Sequence, residues 1–261
     1  MKPRFFSAAC LAFFLSLAAL LTSANAQPYY LFVGGGEEPT AFDDDPKNWT
    51  PMAHRTLGVP IEISPGSHRY RYSLGIMNSV DLKITDPLTT FTESFAIING
   101  RLTLEKGAVL NFLNTGKDVE KNIGNTLQGQ AMLTVKQGAV LTTNGSLYMD
   151  KFNNADPVPW LVIEGGKVQL LAPSTILAGE IVLGASGHFE TPAFNFGTRH
   201  NTGIINFKSG SKATIKIPAM TFEGQKATYE SLVKIGRIMI DGEHARWRKF
   251  KQDGDTLSLA E

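Results

Sequence analysis

Asp81, Glu105, Lys136 and Glu164 are the residues whose types and spacing could do acid–base chemistry in this 261-residue chain. Cleaving a polysaccharide, by elimination or hydrolysis, takes two converging carboxylates, or a carboxylate beside a lysine or arginine. Glu105, Lys136 and Glu164 hold one position of a recurring block, or one place either side of it. Stacked copies of that block would bring them together. The competing expectation is a ladder of solvated charges, since strands about 4.8 Å apart pair opposite charges well.

Two other clusters invite chemistry. Asp43, Asp44 and Asp45 offer oxygens to calcium, but the glycine-spaced alternation of a calcium loop is missing, and a solvated turn fits better. Arg246-Trp-Arg-Lys-Phe-Lys251 is the one dense basic run. In it Arg246, Trp247, Arg248, Lys249 and Lys251 interleave cations with aromatics, as a surface for acidic glycans or a partner would. The same alternation reads as a strand with Trp247 inward and Arg246 and Arg248 in water.

No Gly-x-Ser-x-Gly, His-Glu-x-x-His or phosphate-binding glycine loop is present. His54, His68, His188, His200 and His244 are scattered without ligand spacing, and the single cysteine is Cys10. No catalytic residue is therefore assigned, and no metal or cofactor is expected.

The elements that must position these side chains come from the block itself. Leu102-Thr-Leu-Glu-Lys-Gly107-Ala-Val-Leu110 returns as Leu133-Thr-Val-Lys-Gln-Gly138-Ala-Val-Leu141. A looser copy is Leu161-Val-Ile-Glu-Gly-Gly166-Lys-Val-Gln-Leu170. Each has apolar residues five and three places before a glycine and a valine two places after it. Period-two alternation marks a strand with one face buried, and the glycine marks a tight bend. Ile61-Glu-Ile63-Ser-Pro-Gly66 upstream fits the apolar pair and the glycine, though His68 breaks the valine position. Val182-Leu-Gly184-Ala-Ser-Gly187 and Ile205-Asn-Phe207-Lys-Ser-Gly210 follow imperfectly.

Marker glycines from Gly107 to Gly210 lie 31, 28, 21 and 23 residues apart. Drift of that size suits β-solenoid coils, whose insertions sit in loops while the strands stay in register. The predicted fold is all-β: a right-handed parallel β-helix with a small C-terminal β cap. A β-sandwich of hairpins is the alternative.

Residues 1–26 read as a secretory signal peptide. Lys2 and Arg4 begin it, Ala8 to Leu21 is nearly unbroken apolar sequence, and Ala24-Asn-Ala26 is a small-x-small cleavage signal. The mature chain then begins at Gln27, carries no cysteine and depends on burial for its stability. It has no transmembrane segment by hydropathy, and is expected to be exported: secreted, periplasmic or at the cell surface. Without Lys2 and Arg4, the 25 basic side chains become 23 against 24 acidic ones. So near a balance gives no general pull toward nucleic acid.

Residues 27–59 read as an N-terminal strand and acidic loop, 60–217 as solenoid repeats and 218–261 as the C-terminal cap. Thr228 to Lys234 is a helix candidate in that cap. Asp241-Gly242 and Asp253-Gly254 are its hairpin turns. Trp49, Trp160 and Trp247 read as anchors that pin loops to the core.

Three features together resemble a family of secreted bacterial repeat proteins. They are Asn48-Trp49 with Pro60, Gln130-Ala-Met-Leu133-Thr-Val135 running to Val140, and the closing Asp253-Gly254-Asp-Thr-Leu257-Ser-Leu259. The likeness is to autotransporter passenger domains and other right-handed parallel β-helices of the pectin-lyase-like kind. The signal peptide, the repeats and the missing catalytic signatures point to a rigid non-catalytic scaffold, adhesin or glycan-binding surface, with an extracellular polysaccharide or cell-surface partner. A β-helix polysaccharide lyase or glycoside hydrolase is the alternative.

Overall fold

The structure, a computed structural model, describes residues 29–32, 49–51, 62–64, 67–70, 73–77, 81–91, 94–113, 124–152, 156–197 and 202–260. The signal-peptide reading, the Asp43–Asp45 cluster, His54 and His200 lie outside them, as does the side chain of His68.

Alternation sends Leu102 and Leu104 inward while Arg101 and Thr103 stay wet. One such strand cannot bury its apolar face alone, so the chain returns beneath itself. Six successive coils each give one strand to each of three parallel sheets. In the second coil these strands are Arg101–Leu104, Val109–Phe112 and Asn125–Gln128. In the third they are Met132–Lys136, Val140–Thr143 and Leu147–Asp150. The sheets are called first, second and third in that order. The architecture is a right-handed parallel β-helix.

Register is continuous along the axis. Leu82, Leu102, Leu133, Leu161, Ile181, Ile205 and Ile238 form one column of the first sheet. Ile84, Leu104, Val135, Ile163, Leu183 and Phe207 form the next. All of these are essentially inaccessible to water. The two columns expected from the repeats, Leu102-Leu133-Leu161 and Leu104-Val135-Ile163, are therefore real. Each fully buried side chain contributes about 1.5–3 kcal/mol relative to exposure.

The third copy of the block is not superimposable on the others. Lys136 pairs with Glu164, yet Val140 pairs with Lys167, so the turn after Glu164 is one residue shorter. Gly165, not Gly166, holds the left-handed place of Gly107 and Gly138, with φ of 83° against 78° and 71°. In consequence Val168 points inward beside Leu141, whereas Val109 and Val140 are only half-buried.

Antiparallel strands cover both ends of the second and third sheets and the C-terminal end of the first; at its other end the first sheet stops at Asp81–Ile84 among the described residues. At the C-terminal end Gln225–Ala227 covers Ala219–Phe222 of the third sheet, and Glu243–His244 covers Ile238–Ile240 of the first. Thr256–Leu259 lies against Thr214–Lys216 of the second, with Phe250–Asp253 outside it. Between them the helix Tyr229–Lys234 lays Tyr229, Leu232 and Val233 on the end of the core. A capping box between Thr228 and Ser231 starts this helix.

At the other end Trp49–Pro51 runs antiparallel to Tyr29–Phe32. Glu62–Ser64, read from the sequence as the first coil strand, instead forms a hairpin with Ser67–Tyr70.

Candidate functional site

Among the described residues, four places on the outer surface gather polar side chains that could meet a ligand. The charge ladder lies at the C-terminal ends of first-sheet strands. Lys136 Nζ donates to both carboxylate oxygens of Glu105, at 2.9 and 2.8 Å, and Glu164 is the register partner of Lys136 on the other side. Asp81 does not join them. It pairs with Arg101 at the opposite end of the strand, so the expected four-residue cluster splits in two. Both oxygens of Glu105 are occupied by a cation, which is the arrangement of a stabilising ladder.

The second place centres on Glu190 in the second sheet. Lys216 Nζ donates to its Oε1 at 2.9 Å, Lys167 Nζ stands 3.9 Å from its Oε2, and Gln169 Nε2 donates to Oε2 at 3.4 Å. The hydrogen bond from Lys216 holds the Glu190 carboxyl below its usual range and raises the lysine. His188, two residues back on the same face, is lowered by burial. Its Nδ1 is 2.7 Å from Thr214 Oγ1, and its Nε2 is 3.6 Å from Glu190. The order threonine, histidine, glutamate resembles a nucleophile with its base. However, 3.6 Å is too long for the hydrogen bond that would orient the imidazole. This group had a sequence signal: Lys167/Gln169, His188/Glu190 and Thr214/Lys216 are alternate positions of three consecutive strands. It becomes visible only once the shortened turn after Glu164 is allowed for.

The cap holds the predicted cations. Trp247–Lys249 forms a 3-10 turn, not the expected strand, and the strand starts at Phe250. Proximity to the end of the core explains the change. Phe250 is buried against Phe207, and Trp247 lies flat on Phe250 with ring centroids 6.2 Å apart. Trp247 is thus partly buried. Arg246, Arg248, Lys249 and Lys251 are exposed, and among the described residues none forms an ion pair.

The fourth place is a groove of about 610 Å³ on the outer face of the first sheet. Arg101, Met132 and Trp160 are register partners on three successive coils and form its floor, with Asp81 one coil before Arg101. Pro157 and Val158 form a wall, and Asn99 and Gln130 line the corner between the third and first sheets. Asn99 adopts the left-handed conformation, φ 53°, and its Oδ1 accepts from Gln130 N at 2.9 Å. That bond fixes the corner. Trp160 N donates to Ala131 O at 2.8 Å, which sets the backbone while the residue stays 41% exposed.

Trp160 is therefore no loop anchor, as the sequence suggested, but the exposed aromatic of the groove. Asp81 and Arg101, adjacent in register, form no ion pair with each other or with any other described residue. Glu180, beyond Trp160, is engaged by Asn206 Nδ2 at 2.6 Å.

No helix among the described residues is long and apolar enough to cross a membrane. Comparison with known proteins finds no matching family model, curated protein or solved structure.

Proposed function

We propose that this protein is a non-catalytic scaffold outside the cytoplasm that holds a glycan on the outer face of its first sheet. The observation that carries this reading is the groove, where an exposed tryptophan sits among convergent polar side chains on a rigid, in-register floor. Aromatic faces with hydrogen-bonding rims suit sugars, whose rings present C–H faces and hydroxyl edges. Export is supported by the basic start, the apolar run and Ala24-Asn-Ala26. The resemblance to autotransporter passengers points the same way. A two-carboxylate hydrolase would need a second acid near Asp81, and the charge ladder holds Glu105 against Lys136 instead; a lyase would have to work with Asp81 beside Arg101.

The test is a panel of neutral and acidic polysaccharides assayed for retention and for new reducing or unsaturated ends. Retention without new ends is expected. Cleavage that persists through purification and vanishes on changing one carboxylate would make the protein an enzyme. The unpaired cations Arg246, Arg248, Lys249 and Lys251 are a second contact surface, suited to acidic partners. Binding there should weaken with salt, because exposed charges are screened over about 8–10 Å at physiological ionic strength.

A further inference from the structure

The chemistry of the groove narrows its ligand. Its floor repeats along the helix axis at the strand spacing of about 4.8 Å. That is close to the repeat of an extended β-linked pyranose chain, so such a chain laid along the axis meets Arg101, Met132 and Trp160 with successive rings. A chain laid across the axis would leave the floor within one coil. Opposite charges stand on adjacent coils, Asp81 and Arg101, and neither is consumed by a described ion pair. A sugar bearing a carboxylate would gain from Arg101 and lose to Asp81 at nearly the same distance. A neutral sugar uses both, donating a hydroxyl proton to Asp81 while a neighbouring hydroxyl accepts from Arg101. Glu180, the next carboxylate along, is already held by Asn206.

We propose that the groove formed by Asp81, Arg101, Met132 and Trp160 is a binding site for a neutral, linear, β-linked glycan that runs along the helix axis. This rests on the glycan-binding role proposed above and supplies its ligand class. The consequences are distinct from those of the cationic cap. Binding at the groove should be nearly indifferent to salt, and should depend on Trp160 and Asp81.

The experiment titrates the mature chain with a β-linked neutral hexasaccharide and with an oligouronate of equal length, at low and high salt. Trp160→Ala, Asp81→Asn and a cap variant with Arg246, Arg248, Lys249 and Lys251 all changed to Gln are run in parallel. Thermal unfolding confirms that each variant is folded. The neutral ligand should bind with little salt dependence. Trp160→Ala should weaken it by about tenfold or more, as loss of a central aromatic contact does. Asp81→Asn should weaken it less, and the cap variant should bind like wild type. If only the oligouronate binds, salt-sensitively, the binding role stands and the neutral-ligand inference is overturned. If the neutral glycan binds but Trp160→Ala and Asp81→Asn change nothing, the site is misplaced. If neither ligand binds, the glycan-binding role falls together with this inference.

Discussion

At the residue scale, two glycines one place apart do different work. Gly165 is needed for its positive φ, and Gly166 for having no side chain. A Cβ on Gly166 would stand 2.5 Å from Lys136 O and 2.6 Å from Val135 Cγ1. Gly107 by contrast has open space around it and pays only for its φ of 78°. Gly107→Ala should cost about 1–2 kcal/mol, the penalty of the left-handed conformation. Gly166→Ala should cost more, because the obstacles are backbone and packed side chain. Equal unfolding midpoints for the two variants would contradict this assignment.

His188 and Glu190 give a pH signature. Burial lowers His188 from its ordinary value of 6.5, and the Lys216 hydrogen bond lowers Glu190. Glu190 contributes stability above the ordinary carboxyl range, and that contribution is lost as pH falls through its lowered value. For His188 the unfolded chain takes up a proton first as pH falls below about 6.5, so stability declines there as well. Lys167 and Lys216 beside the ring oppose its protonation, while Glu190 favours it. His188→Gln should therefore lose less Tm than wild type between about pH 7 and pH 5. Identical losses would show that this imidazole does not govern the window.

At the scale of the element, the short C-terminal helix acts as a stopper held by one hydroxyl. Tyr229 Oη accepts from Ile217 N at 2.9 Å and donates to Asp255 O at 2.8 Å. It ties the last coil to the terminal hairpin. Burial raises this phenol well above its ordinary range, so it remains a donor at any working pH. Tyr229→Phe keeps the packing and removes both hydroxyl bonds, but Ile217 N still donates directly to Asp255 O at 3.1 Å, so the loss should be about 0.5–1.5 kcal/mol. Hydrogen exchange at Ile217 should accelerate in the same variant. Unchanged protection there would mean that the hairpin holds without the tyrosine.

For the whole molecule, the governing fact is that the coils stack in register, each inner coil covered on both sides. The first sheet ends at Asp81–Ile84, with no paired strand beyond it among the described residues. Column residues Leu82, Leu102, Leu133, Leu161, Ile181, Ile205 and Ile238 lie 20, 31, 28, 20, 24 and 33 residues apart, yet remain in register. The extra residues leave the stack at the corners, so length varies without disturbing pairing. Antiparallel strands at the C-terminal end occupy edges of all three sheets that would otherwise pair with other chains. Leu133→Asp, at the middle of the column, buries an unpaired carboxylate. It should cost more than about 4 kcal/mol, a large part of a typical domain's stability. Thr134→Asp, one place on and facing outward, is the control and should unfold close to wild type. Wild-type Tm in Leu133→Asp would mean that the column does not face the core.

The repeats alone determined the coil, its two inward columns and the adjacency of Glu105, Lys136 and Glu164. Each depends only on the period-two alternation and on counting from Leu102 to Leu133 to Leu161. The hairpin at Asp241-Gly242 was legible for a similar reason, since two-residue turns carry their conformation in their own residue types. The other expected turn falls one place later, at Gly254-Asp255, with Asp253 paired to Thr256 in the ladder. What could not be counted was decided by packing. The turn after Glu164 lost a residue because only the inward fit of Val168 sets its length. The Trp247 segment wound into a 3-10 turn because Phe250 had to reach Phe207. Trp160 faces outward because the parity of its strand is set by Leu161 and Ile163. The groove around it joins residues from coils 20 and more positions apart, and its corner rests on an Asn99–Gln130 bond that no local pattern announces. Local periodicity settles which way a side chain points, but a site is a meeting of distant coils, and only stacking brings those together.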